Sequence, residues 1–216
     1  FHIGGKKNYY FSHMYNCIFD CKYCYLQGMF SSANYVIFVN YDSYFQEIKK
    51  KLEKYPDEDI YFFSGYDCDS LALENITNFG NSFINFFKNF KKGFLELRTK
   101  NSQISSFLKI APLDNIIFSW SLNPHKITTE FEDKTPSLEK RLESIIKMQK
   151  HSWNIGLRFD PIIYTNDFEN IYKKFFEYIF KRLDLKRIHS ITVGNFRIPK
   201  SYYKRFKKNT INSSYF

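Results

Sequence analysis

The chain has 216 residues, enough for one domain with a sizeable core, and its 32 Lys plus Arg against 22 Asp plus Glu give a formal charge of +10. No apolar run approaches the roughly 18–20 residues of a membrane span. Four cysteines without a secretory leader argue for a reducing, cytoplasmic setting rather than a disulfide scaffold. The charge suits an anionic partner such as nucleic acid. The lysines are spread through every segment, however, and Lys49, Lys50, Lys51 and Lys54 read as the solvated face of a helix. The chain does not begin with Met and its cysteine-rich stretch comes early, so a fragment lacking an N-terminal part is expected.

In chain order, Tyr9 to Met14 reads as a first strand leading into a cysteine loop. Val36 to Val39 is a short apolar run. Ser43 to Lys54 is a helix with Tyr44, Phe45, Ile48 and Leu52 on one face, ended by Pro56 and Asp57. Ile60 to Ser64 is a second strand, punctuated by Gly65 and followed by the loop Tyr66–Ser70. A Phe-rich helix spans about Phe79–Phe90. Phe94 to Leu97 is a third strand, after which Asn101 reads as N-cap of a helix Ser102–Lys109. Asn115 to Ser121 is a fourth strand, stopped by Asn123-Pro124. The clearest helix runs from Ser137 to His151, with Pro136 in its first turn. Asn154 to Tyr164 is a fifth strand, Asp167 to Arg182 a helix, Ile188 to Val193 a sixth strand, and Ser201 to Lys208 a last basic helix.

This alternation calls for a parallel sheet with right-handed crossovers. Six units fit an α/β fold of the open, partial (β/α)6 TIM-like barrel type. Active sites of barrels gather at strand C-termini. The cysteine loop, Tyr66–Ser70, Lys100, Ser121–Asn123 and Asp160 all fall there. Arg158 and Asp160, two apart on one strand, share a face and are expected to pair with each other or to reach a substrate.

Cys17, Cys21 and Cys24 are spaced C-x3-C-x2-C. Three thiolates can hold three corners of a 4Fe–4S cluster and leave one iron open, whereas a complete electron-transfer site supplies four ligands. A zinc site is the alternative, and it needs a fourth ligand such as His13 or Cys68.

With Tyr23 before the last cysteine, the motif resembles that of radical S-adenosylmethionine (SAM) enzymes. The loop Cys17-Ile-Phe-Asp-Cys21-Lys-Tyr23-Cys24-Tyr25-Leu-Gln27 resembles the cluster loop of the spore photoproduct lyase branch. Ser119-Trp-Ser121-Leu-Asn123 and Thr135-Pro136-Ser137-Leu-Glu-Lys-Arg141-Leu-Glu143 are similar to its fourth strand and following helix. Asp69-Ser70-Leu-Ala-Leu73 and Arg158-Phe-Asp160-Pro161-Ile look closer to lyase-like relatives than to the lyase itself. The resemblance runs from about Tyr9 to the end and makes the whole chain a radical SAM core domain.

It implies that SAM binds the open iron, with Tyr23 near the adenine and Lys100, Ser121 and Asn123 in contact with it. It further implies reductive cleavage to a 5′-deoxyadenosyl radical, fed by an external electron donor, and repair of thymine-dimer-type lesions, with DNA as the partner and no membrane. Tyr23 and Tyr25 match the family's radical-relaying tyrosines. The family's hydrogen-donor cysteine falls at Tyr66, and Cys68, two residues on, is the candidate replacement. Gly65 would let the backbone approach the methionine end of SAM, and Asp67 or Asp69 would accept from its ammonium. Two rival expectations are the same chemistry on a small molecule or RNA base, and a non-catalytic, metal-stabilised nucleic-acid-binding protein.

Overall fold

The computed structural model describes residues 3–210. Six parallel strands lie side by side in chain order: β1 (Lys7–Phe11), β2 (Ile60–Ser64), β3 (Gly93–Thr99), β4 (Ile116–Ser121), β5 (Asn154–Ile162) and β6 (Ile188–Asn195). They form the expected open, partial TIM-like barrel. β2 and β4 are buried at every residue, as parallel strands covered on both faces must be. β6, at the sheet edge, is nowhere fully buried and alternates between half-buried and exposed residues over its C-terminal half. The helices Tyr41–Lys54, Phe79–Phe87, Leu138–Lys150 and Phe168–Phe180 follow β1, β2, β4 and β5. Phe79, Phe83 and Phe87, four apart on one helical face, are completely buried in the main core. No helix among the described residues is long and apolar enough to cross a membrane.

The structure departs from the sequence-based elements in instructive ways. Residues 102–109 form no α-helix, only a 3-10 turn at Phe107–Lys109. The carbonyls a helix would need are taken by side chains: Trp120 Nε1 donates to Asn101 O (2.9 Å), Ser144 Oγ to Ser102 O (3.1 Å) and Trp153 Nε1 to Phe107 O (3.2 Å). Asn101 still accepts from the Gln103 amide (3.1 Å), which is a local Asx turn without a helix behind it. Ser137 is the N-cap of Leu138–Lys150, accepting from the Lys140 amide at 3.3 Å, so Pro136 precedes the cap instead of sitting in the first turn. The first strand ends at Phe11, and Met14–Tyr15 pairs separately with Val36–Ile37.

His13, in the break between those segments, stacks on Phe79 with ring centroids 3.6 Å apart. Burial lowers its imidazole from 6.5 to about 3, so it stays neutral. Between those values the unfolded chain binds a proton that the folded chain refuses. Stability is therefore complete above about pH 6.5 and falls towards pH 3, by roughly 1.4 kcal/mol per pH unit. His13→Asn, uncharged throughout, is expected to lose this part of the acid dependence. Urea midpoints at about pH 6.5 and 4.5 measure it, and an unchanged slope would count against the assignment.

Candidate active site

At the C-terminal ends of the strands opens a cavity of about 700 Å³. Cys17, Cys21, Cys24 and Cys68 all line it, with Tyr23, Tyr25, Gly65, Asp69, Lys100 and Ser121. His13 is not among the lining residues, which corrects the zinc alternative that used it.

The cysteine loop is held from both sides. Asn16, at φ +66°, clasps the loop base by donating to Ser32 O (3.0 Å) and Asn34 O (2.6 Å). Asp20–Cys21 forms a short antiparallel ladder with Glu132–Asp133, extended by Lys22 N donating to Phe131 O (2.8 Å). Salt bridges from Lys22 to Asp133 (3.4 Å) and from Lys134 to Asp20 (3.2 Å) flank it. Burial pushes all three thiols up, Cys21 to about 12 and Cys17 and Cys24 likewise upward. A metal centre here must therefore displace protons from them. Three soft sulfur donors from one loop, all lining one cavity, suit an iron–sulfur cluster. Among the described residues, no three His, Cys, Asp or Glu side chains converge where a single ion would sit. The fit to a cluster rests on the chemistry of the donor set, three thiols of one loop lining one cavity.

Behind Tyr23 lies a buried node that sequence reasoning missed. Glu132 accepts from the Tyr23 hydroxyl, from Asn123 Nδ2 (3.0 Å) and from Arg141 Nη2 (2.5 Å). Asn123 Nδ2 also reaches Tyr23 Oη at 3.1 Å. Arg141 completes its fork on Pro136 O (2.9 Å) and Ser121 O (3.1 Å). Burial alone would raise the Glu132 carboxyl, but Lys100 and Arg141 hold it below the usual range. Asn123 thus stands behind Tyr23, and it is absent from the cavity wall. The Lys100 ammonium lies 5.7 Å from the Tyr23 ring centroid. Burial would lower its pKa, but the charges of Cys21 and Glu132 outweigh that and raise it.

Gly65 has φ +77°, a conformation glycine adopts without cost. A Cβ there would come 2.5 Å from Ser70 Oγ, so the space it leaves serves the Gly65–Ser70 turn itself. Asp69 is buried and accepts from Thr99 Oγ1 (2.6 Å), Lys100 N (2.6 Å) and Leu71 N (3.0 Å). Asp67 points elsewhere: its amide donates to Ser12 Oγ (2.9 Å), and it lines a separate groove beside β1. Cys68 is buried, and that burial raises its thiol pKa. The Tyr25 hydroxyl donates to Tyr66 O. Arg158 and Asp160 do not pair with each other. Arg158 Nε binds Glu96 Oε1 at 2.7 Å, and Asp160 lies 3.9 Å from Arg98 Nη2.

The family model described as spore photoproduct lyase matches residues 6–216. The curated spore photoproduct lyase of Bacillus subtilis (strain 168) is 25% identical over 200 residues, covering 92% of this chain and 58% of that protein. The spore photoproduct lyase of Geobacillus sp. (strain Y412MC61) is 24% identical with the same coverage. The chain therefore spans a little over half the length of these relatives. A solved structure of spore photoproduct lyase complexed with dinucleoside spore photoproduct superposes with a TM-score of 0.85 at 22% identity, covering 93% of this chain and 60% of that one. That likeness carries the fold.

Proposed function

The chain belongs to the spore photoproduct lyase family, and from that premise we propose that it is the core domain of a cytoplasmic radical SAM enzyme acting on damaged pyrimidines in DNA. Cys17, Cys21 and Cys24 hold a 4Fe–4S cluster. When bound, that cluster supplies the electron, drawn from an external donor, that cleaves SAM to a 5′-deoxyadenosyl radical. Lys100 offers its ammonium to the SAM carboxylate. Ser121 Oγ, already accepting from Arg98 Nε at 3.2 Å, keeps its own proton to donate. Tyr23, anchored by Glu132 and Asn123, walls the adenine side. Gly65 shapes the turn that brings Asp69 to the cavity, whereas Asp67 lines the groove beside β1 and has no part in holding SAM. Cys68 returns a hydrogen atom from its S–H to the product radical, and Tyr25 and Tyr23 pass the resulting radical on.

The observation that carries this reading is the gathering of three loop thiols, Lys100 and Cys68 around one cavity. The test is anaerobic cluster reconstitution, then dithionite and SAM, with 5′-deoxyadenosine as the readout. Its appearance is the expected result. A zinc-bound or colourless protein that never cleaves SAM would sink the proposal.

A further inference from the structure

Most charged groups of the cavity are already engaged by the protein. Glu96 is tied to Arg158, whose guanidinium also reaches Ser190 O (3.2 Å) and Ser190 Oγ (3.0 Å). Asp69 has three donors. Asp160 is different. No hydrogen bond reaches its carboxylate among the described residues, and its nearest cation, Arg98 Nη2, stays at 3.9 Å, beyond hydrogen-bond reach. Arg98 instead donates from Nη2 to the Asp160 main-chain carbonyl (3.1 Å) and from Nε to Ser121 Oγ. The Asp160 side chain is only 13% exposed, and it lines the cavity. With no protein donor on it among the described residues, the carboxylate is left open to the cavity as an acceptor for a ligand's N–H or O–H.

The fold makes room for this carboxylate. The β5–β6 register slips between Val193 and Asn195, and Gly194 sits in the slip. A Cβ on Gly194 would come 2.6 Å from Asp160 Oδ1. Bulges beside active sites re-aim side chains, and a strand glycine marks a close approach. On the same cavity, Tyr10 stacks on Phe63 (5.0 Å) and meets Tyr66 edge-on (5.9 Å). Both tyrosines are substantially exposed, at 44% and 55%. The cavity therefore offers two exposed tyrosine rings, set edge to face, against which a planar base can rest, and a carboxylate free to accept an N–H at that base's edge.

We infer that Asp160 is a substrate-recognition residue, accepting the imide N–H of a pyrimidine base that rests against the Tyr10–Tyr66 wall. The inference rests on the proposed function and narrows its substrate to bases with an unblocked imide.

The test uses the reconstituted protein with SAM and no reductant. Two probes are compared: dinucleoside spore photoproduct, and the same molecule methylated at its imide nitrogens. Methylation is expected to weaken binding to the native chain roughly 10–100-fold. Asp160→Ala is expected to cost a similar factor, and in that variant methylation costs no more than about 2-fold, since the two changes remove one contact. Gly194→Ala, which displaces the carboxylate without deleting it, is expected to weaken the unmethylated probe. Equal binding of the two probes by the native chain, no binding of either, or additive penalties would overturn the inference. A fall in SAM affinity on Asp160→Ala would also overturn it, by assigning the carboxylate to the cofactor's hydroxyls. Absence of SAM cleavage by the native chain is the separate result that defeats the proposed function.

Discussion

Cys21→Ala is expected to bring 5′-deoxyadenosine formation below detection and to remove most of the iron from a reconstituted protein that otherwise holds about four per chain. The loss should be chemical, not structural. Cys21 is 4% exposed, so deleting its thiol costs roughly 1–2 kcal/mol of burial and cavity energy. The loop's ladder to Glu132–Asp133 uses main-chain groups, and alanine keeps them. The Glu132 hydrogen bond to Tyr23 does not involve Cys21 either. Circular dichroism should therefore be native while the cluster absorbance is gone. Cys68→Ala provides the contrast. It should keep iron and SAM cleavage and lose only turnover of the lesion, because Cys68 lines the cavity outside the three-cysteine loop. A Cys21→Ala protein that retains iron and cleaves SAM would remove Cys21 from the ligand set.

The cysteine loop, the strands and the barrel were legible in the sequence because each leaves a local mark. Thiol spacing is local, and β2 and β4 read as apolar runs because both their faces are covered. What was not legible depends on contacts between distant segments. Glu132 lies in Glu130–Asp133, a stretch that reads as surface. Only the pairing of Asp20–Cys21 with Glu132–Asp133 turns its side chain under Tyr23. Strand alternation correctly put Arg158 and Asp160 on one face, where they were expected to pair with each other or to reach a substrate, and the pairing is the arm the structure overturns. It failed because neighbouring strands put Glu96 and Arg98 on the same lumenal face, nearer to each cation and anion than their own strand mates. Asp67 and Asp69, also two apart, were equivalent in sequence. The positive φ of Gly65 opens a turn that takes them to different sides.

Arg141→Met is expected to lower folding stability by about 3–5 kcal/mol, the usual consequence of stranding one partner of a buried ion pair. Neither Arg141 nor Glu132 exposes any side-chain surface. Without Arg141, Glu132 keeps Tyr23 and Asn123 as donors but loses one of the two cations that hold its carboxyl down. The other, Lys100, faces the cavity, and in the proposed enzyme its charge belongs to SAM. Uptake of a proton by Glu132 would relieve the strain and weaken its hydrogen bond from the Tyr23 hydroxyl, since a neutral carboxyl accepts without charge assistance. The double variant Glu132→Leu/Arg141→Met removes both charges and should recover more than half of the lost stability. It should not recover SAM affinity, because Tyr23 has lost the carboxylate that fixes its ring beside Lys100. Urea unfolding of the three proteins reads the first effect and SAM titration of the reconstituted proteins the second. If Arg141→Met cost less than about 1 kcal/mol, Lys100 would have to be the true partner of Glu132 and so be unavailable to the cofactor. If the double variant bound SAM normally, Glu132 would be a packing residue with no hold on the site.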